Sequence, residues 1–151
     1  MKRITSIKVA AIVFGLFALS VVPNAQAQCS DETLKGSFAL VGTGSVVTGP
    51  NPGPRAVVGV LTANGEGHLS GSTTKSSNGT IHRNLIVTGT YTVDSDCTGS
   101  ATVTDSVGET RNFDFVIVKK PLFGSLEILG IQTDDGHIAT FTLKTQIGNE
   151  L

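Results

Sequence analysis

The sequence predicts an all-β protein: an eight-stranded antiparallel up-and-down barrel. Three observations carry this. Residues 89–103 read as strand, turn, strand, with Thr, Tyr and Val alternating up to Val93 and Ser, Ala, Thr and Val alternating after Thr98. Such residues suit a pleated, half-buried surface, and Asp94, Ser95, Asp96 and Gly99 between them are turn formers. Asn64-Gly65 and Asn78-Gly79 are hairpin signals, because this pair accepts the positive φ of a type I′ turn. Beyond the first 27 residues, no segment sustains a helical period. Strands joined by tight turns favour an up-and-down sheet, and closing it removes the exposed edges. A two-sheet β-sandwich is the alternative reading of the same pattern.

The chain opens with Lys2, Arg3 and Lys8, an apolar run from Val9 to Val22, then Pro23 and Ala25-Gln26-Ala27. A charged start, an apolar centre and a small-residue cleavage site describe a secretory signal peptide over 1–27. A membrane anchor is the alternative, but the run falls short of the roughly 20 residues a span needs. Cys29 lacks the Leu-x-small-Cys context of a lipidated cysteine. A mature domain over 28–151, in the periplasm or secreted, with no membrane span, is the expectation.

The first strand is expected over Thr33–Val41, with Leu34, Phe38 and Leu40 on one face. Residues 42–54 carry Gly42, Gly44, Gly49, Pro50, Pro52, Gly53 and Pro54 and read as a long irregular loop. Arg55–Ala63 is the second strand, His68–Ser76 a polar third and Thr80–Val93 a long fourth with Leu85, Val87, Tyr91 and Val93 aligned. Thr98–Asp105 follows, then Arg111–Lys119 with Phe113, Phe115 and Ile117 on one side. Phe123–Gln132 is the seventh strand and His137–Gln146 the eighth. Strands two, four, six and seven are apolar on both faces. One face fills the barrel; the other asks for cover by a second layer or a second copy of the chain.

Removing residues 1–27 takes away three of the 11 Lys and Arg and none of the 12 Asp and Glu, leaving a net charge of −4. With no basic block, nucleic acid and anionic membrane are not expected partners. Trp is absent and Tyr occurs once, which disfavours a sugar-binding groove or a base-stacking platform. Cys29 and Cys97 are the two cysteines. In an oxidising compartment they most simply form one disulfide, worth about 4 kcal/mol in the chain-entropy account of loop closure. A redox or metal-binding thiol pair is the alternative, without a Cys-x-x-Cys to support it.

Four stretches, 29–40 (CSDETLKGSFAL), 61–72 (LTANGEGHLSGS), 89–100 (GTYTVDSDCTGS) and 126–136 (LEILGIQTDDG), resemble small secreted bacterial proteins of uncharacterised function that carry an allene oxide cyclase-like barrel. The resemblance spans nearly the whole mature chain. It implies an eight-stranded antiparallel barrel of the wider calycin-like group, which includes ligand carriers and cyclases of apolar substrates. It transfers no catalytic residue to this chain.

Candidate chemistry is sparse. His68, His82 and His137 show no metal-ligand spacing, so no metal is assigned. No Gly-x-Ser-x-Gly elbow occurs, and Gly42-Thr43-Gly44 lacks the third glycine and the helix of a dinucleotide loop, so no cofactor is assigned. Asp94-x-Asp96 resembles the start of a calcium loop, but Cys97 interrupts it and strands flank it, so a plain hairpin turn is the simpler reading. Glu127 within Leu126-Glu127-Ile128, and less so Asp114, is a candidate carboxylate whose pKa burial would raise, although parity points both outward. Arg55, Arg83 and Tyr91 share parity with the inner faces of their strands and are candidate ligand-orienting residues; strand-end solvation and core packing are the ordinary alternatives.

The leading functional expectation is a non-enzymatic binding or structural module that holds a small apolar ligand. A barrel cyclase or isomerase acting on an apolar substrate is the rival. A purely structural surface protein with a filled barrel is the third reading, since eight strands enclose either packed side chains or one small ligand.

Overall fold

The computed structural model describes residues 28–49, 51–119 and 125–146. Residues 1–27, expected from the sequence to be a signal peptide, lie outside them. After a short 3-10 turn, Asp31–Leu34, come β1 Gly36–Val46, β2 Gly53–Ala63, β3 His68–Ser77, β4 Thr80–Val93, β5 Thr98–Asp105, β6 Thr110–Lys119, β7 Leu126–Gln132 and β8 His137–Thr145. Each strand pairs antiparallel with the next, and β8 returns to pair with β1. The barrel is closed in sequence order, which sets aside the sandwich.

Several boundaries differ from the expected ones: β1 begins at Gly36 and not at Thr33, because Asp31–Leu34 forms the 3-10 turn and takes Leu34 out of the strand. β1 runs to Val46, not Val41, and β2 starts at Gly53, so most of the expected loop over 42–54 is strand. Gly42 and Gly44 act there as spacers and not as breakers. A side chain at Gly44 would run into the backbone and Cβ of Ile138 and Ala139 on β8, so glycine is what lets β1 close the barrel against β8. Gly130 on β7 does the same for a ring: a Cβ there would occupy the place of Phe141, which packs edge-to-face on Phe113 with centroids 5.3 Å apart. The expected seventh strand began at Phe123, which lies outside the described residues; the described strand begins at Leu126.

The two ends of the barrel are built differently. One is plugged. Leu34 from the 3-10 turn packs with Phe38, Ala63, Tyr91, Phe115, Ile117 and Ile128, and Ile128 is the most deeply buried. Burying each large side chain of this cluster contributes about 1.5–3 kcal/mol. The Cys29–Cys97 disulfide forms as expected, across 68 residues of sequence with Cα atoms 5.0 Å apart. It fastens the segment that carries the 3-10 turn to the β4–β5 hairpin, where the Cys29 N–H also donates to the Ser95 carbonyl at 3.3 Å. The Tyr91 hydroxyl accepts from the Gly65 N–H at 3.0 Å and donates to the Asp31 carbonyl at 3.1 Å, and Asp31 Oδ1 accepts from the Val93 N–H at 2.7 Å. The opposite end carries the β1–β2, β3–β4, β5–β6 and β7–β8 connections and forms the mouth.

Outside, the barrel is two-sided. Register aligns Val116, Leu129, Thr142, Val41 and Val58 in one row across β6, β7, β8, β1 and β2, and the four apolar members are exposed. Nothing among the described residues covers this row. Around β3 to β5 the outer positions are mostly polar, with Ser70, Ser72, Thr88, Thr90, Ser100 and Thr102, and with Ile81 and Ile86 as exposed apolar residues on β4. Among the described residues no helix is long and apolar enough to cross a membrane.

A candidate ligand cavity closed by a charged mouth

The interior is not filled. A cavity of about 170 Å³ runs from Leu34 and Phe38 at the plugged end to the mouth. Its walls are apolar for most of their length, with Leu61, Leu85, Val87, Phe113 and Leu143 among the lining side chains. A cavity near 150 Å³ with such walls stays dry and accepts benzene-sized guests.

The mouth is where inner positions become polar. Strand alternation places Arg55 on β2, Thr73 and Lys75 on β3, Asp105 at the end of β5, Arg111 on β6 and Gln132 at the end of β7 on the inner wall. Lys75 reaches past β4, and its Nζ lies 3.3 Å from Asp105 Oδ2. Arg111 Nη1 approaches the same oxygen at 3.3 Å. Asp105 Oδ1 faces the other way and accepts the Val107 and Glu109 N–H groups at 3.1 and 3.0 Å, folding the β5–β6 turn around its own carboxylate.

Glu109 ends that turn. Its Oε2 takes Lys75 Nζ at 2.7 Å, Arg55 Nη1 at 3.5 Å and Arg111 Nη2. One carboxylate oxygen thus gathers three cations from three strands. The cluster holds three positive charges and two negative ones, next to apolar walls. The two carboxylates differ in access: the Asp105 side chain is 2% exposed and that of Glu109 46%. Burial alone would raise the Asp105 carboxyl, but the Glu109 backbone N–H and the charges of Lys75 and Arg111 outweigh it and hold it below the ordinary range. Glu109 is also held down, first by the Lys75 hydrogen bond, which acts against burial. Among the described residues no buried side-chain nitrogen or oxygen lacks a partner.

The residues singled out in the sequence scatter. Arg55 lies at the mouth and joins the cluster. Tyr91 lines the cavity, but at the plugged end, with its hydroxyl committed to Gly65 and Asp31. Arg83 is exposed and does not line the cavity. A bulge is the cause: Thr73 opposes Leu85 while Lys75 opposes His82, so Arg83 and Asn84 together face Thr74. Asn84 absorbs the extra residue at φ 54, and the bulge breaks the parity on which the inner placement rested. Glu127 pairs with Lys144, directly across from it on β8, at 3.4 Å, and is not part of the cavity wall. His137 sits at the mouth, with its Nδ1 near the Asp135 carbonyl. No three His, Cys, Asp or Glu side chains among the described residues come together as metal ligands.

Sequence reasoning missed Lys75, Asp105, Glu109 and Arg111. A signal existed for three of them. Each shares parity with apolar or small inner residues of its strand: Lys75 with Leu69, Asp105 with Ala101 and Val103, and Arg111 with Phe113 and Phe115.

No family model and no curated protein matches the chain. Among solved structures, it is similar to a redesigned β-barrel, mFAP1, bound to DFHBI, with 18% identity over 76% of this chain and 96% of that one, and a TM-score of 0.48.

Proposed function

We propose that this chain is an exported binding module that takes one small molecule, apolar over most of its body, into the barrel. The observation that carries the reading is the cavity itself: apolar walls, a plugged floor and a few convergent polar groups at one end, the usual make-up of a small-molecule site. Export is supported by the signal-peptide pattern over 1–27 and by the Cys29–Cys97 disulfide.

The resemblance to allene oxide cyclase-like barrels keeps a cyclase or isomerase as the second reading, and the mouth sets carboxylates beside the cavity. Both are held below the ordinary carboxylate range, Asp105 against burial by the Glu109 backbone N–H and then by Lys75 and Arg111, and Glu109 first by the Lys75 hydrogen bond, which suits them poorly to giving up or taking a proton near neutral pH. Binding is therefore favoured over acid–base catalysis. Titration with an environment-sensitive apolar dye tests the reading. One dye per chain, displaced by small apolar competitors, is expected. If the protein neither binds dye nor carries a small-molecule adduct in a native mass spectrum, the cavity holds no ligand and the proposal fails in favour of a structural barrel.

A further inference from the structure

The geometry points to a small amphipathic carboxylate as the ligand, its head group taking the place that Glu109 occupies in the free protein. This rests on the binding-module reading and deepens it. Three observations meet here. Arg55, Lys75 and Arg111 converge on a single oxygen, Glu109 Oε2, so the mouth contains a position shaped and charged for one carboxylate oxygen. All three cations also line the cavity, whereas Glu109 does not and reaches them from the rim. A carboxylate arriving from within the cavity would meet the same three donors, with its apolar body lying against Leu61, Leu85 and Phe113.

Glu109 is the exchangeable partner. The turn is built by Asp105, through its two backbone bonds, and by Gly108 at φ 85, and not by the Glu109 side chain. Asp105 is enclosed and neutralises part of the charge permanently, while Glu109 is nearly half exposed, so that turning outward solvates its carboxylate and costs it only the contacts that an incoming carboxylate re-forms. With Glu109 away, the cluster carries three positive charges against one negative. A ligand carboxylate restores the balance through charge-assisted, fork-like contacts from the two arginines. A neutral ligand of the same length restores nothing.

Calorimetric titration of octanoate and 1-octanol into wild type, Glu109→Ala and Arg55→Gln tests this. The readout is the ratio of octanoate to octanol affinity. It is expected to rise by about tenfold in Glu109→Ala, where the internal competitor is gone, and to fall by about tenfold in Arg55→Gln, where one charged donor is lost. Should Glu109→Ala not fold, Glu109→Gln keeps the shape, drops the charge and is expected to move the ratio the same way. An unchanged or lowered ratio on removing the Glu109 charge overturns the inference while octanol binding leaves the binding-module reading in place. Failure of both probes to bind any of the proteins overturns both.

Discussion

Lys75 Nζ lies 3.3 Å from Asp105 Oδ2 inside a barrel whose neighbouring walls are apolar, and neither side chain is more than a tenth exposed. Removing one partner of such a pair leaves a buried charge with less compensation, the costliest way to break it. Asp105→Ala leaves Lys75 with Glu109 as its carboxylate partner, takes away a carboxylate of Arg111 and removes the acceptor of two turn N–H groups, so a loss of about 3–5 kcal/mol is expected. Lys75→Met leaves Asp105 its Arg111 partner and is expected to cost less. Urea unfolding of both single variants and the double variant checks this; the double should cost clearly less than the sum. Additive losses would mean that the two side chains do not act as a pair.

The same cluster sets the acid limit of the fold. The Asp105 and Glu109 carboxyls are held below their ordinary values, so the folded state binds fewer protons than the unfolded chain through the carboxylate range. Their contribution to stability is complete above the unfolded values, about 4, and is lost as pH falls through the lower folded ones. Stability measured from pH 6 down to pH 2 should therefore drop most steeply below about pH 4. In Asp105→Asn the drop should be shallower, from a lower starting stability. An equally steep acid limb in that variant would show that carboxylates elsewhere govern it.

The disulfide yields a sharper test than simple reduction. Closing 68 residues is worth about 4 kcal/mol if the chain-entropy account holds. Cys97 also sits at φ 71, in the left-handed region that side chains with a Cβ populate at a cost of about 1–2 kcal/mol. The pair Cys29→Ala, Cys97→Gly should therefore be more stable than Cys29→Ala, Cys97→Ala by about 1 kcal/mol, even though glycine loosens the unfolded chain. Thermal unfolding of the two reads the difference, and an alanine variant equal to the glycine one would remove the strain argument.

What could be read from the alternation of side chains was the barrel: Thr80–Val93 and Thr98–Asp105 coincide with β4 and β5, because each strand has one inner and one outer face and Asn-Gly or Asp-rich turns between them. Two local features defeat that logic. Gly44 carries the same letter as a loop, yet it marks where β1 and β8 come too close for a side chain. The bulge at Asn84 shifts parity by one residue, and alternation carries no sign of it, so Arg83 is placed inside when it is outside. At the mouth, Lys75, Asp105 and Arg111 were open to the same parity argument that selected Arg55. Glu109 was not, because its role comes from a turn that folds back over the barrel and meets β2 from across the opening.

Tyr91 closes the opposite end. Its ring is buried, and its hydroxyl joins the Gly65 N–H to the Asp31 carbonyl. Tyr91→Phe leaves two part-buried backbone groups without that partner, and a loss of about 1–3 kcal/mol is expected. Burial, foremost, pushes the phenol upward, against the lowering effect of the Gly65 and Gly67 backbone groups. A raised folded value means that the fold prefers the neutral phenol; that contribution is complete below the unfolded value, about 10, and is lost as pH rises through the folded one. The chain has a single Tyr and no Trp, so the phenolate absorbance near 295 nm reports this residue alone. Its midpoint in the folded protein should lie above that of the urea-unfolded protein, and Tyr91→Phe should lose less stability on going to alkaline pH than wild type. Coincident midpoints in folded and unfolded protein would place the hydroxyl in solvent and end its assignment as the bolt between the 3-10 turn and the β2–β3 hairpin.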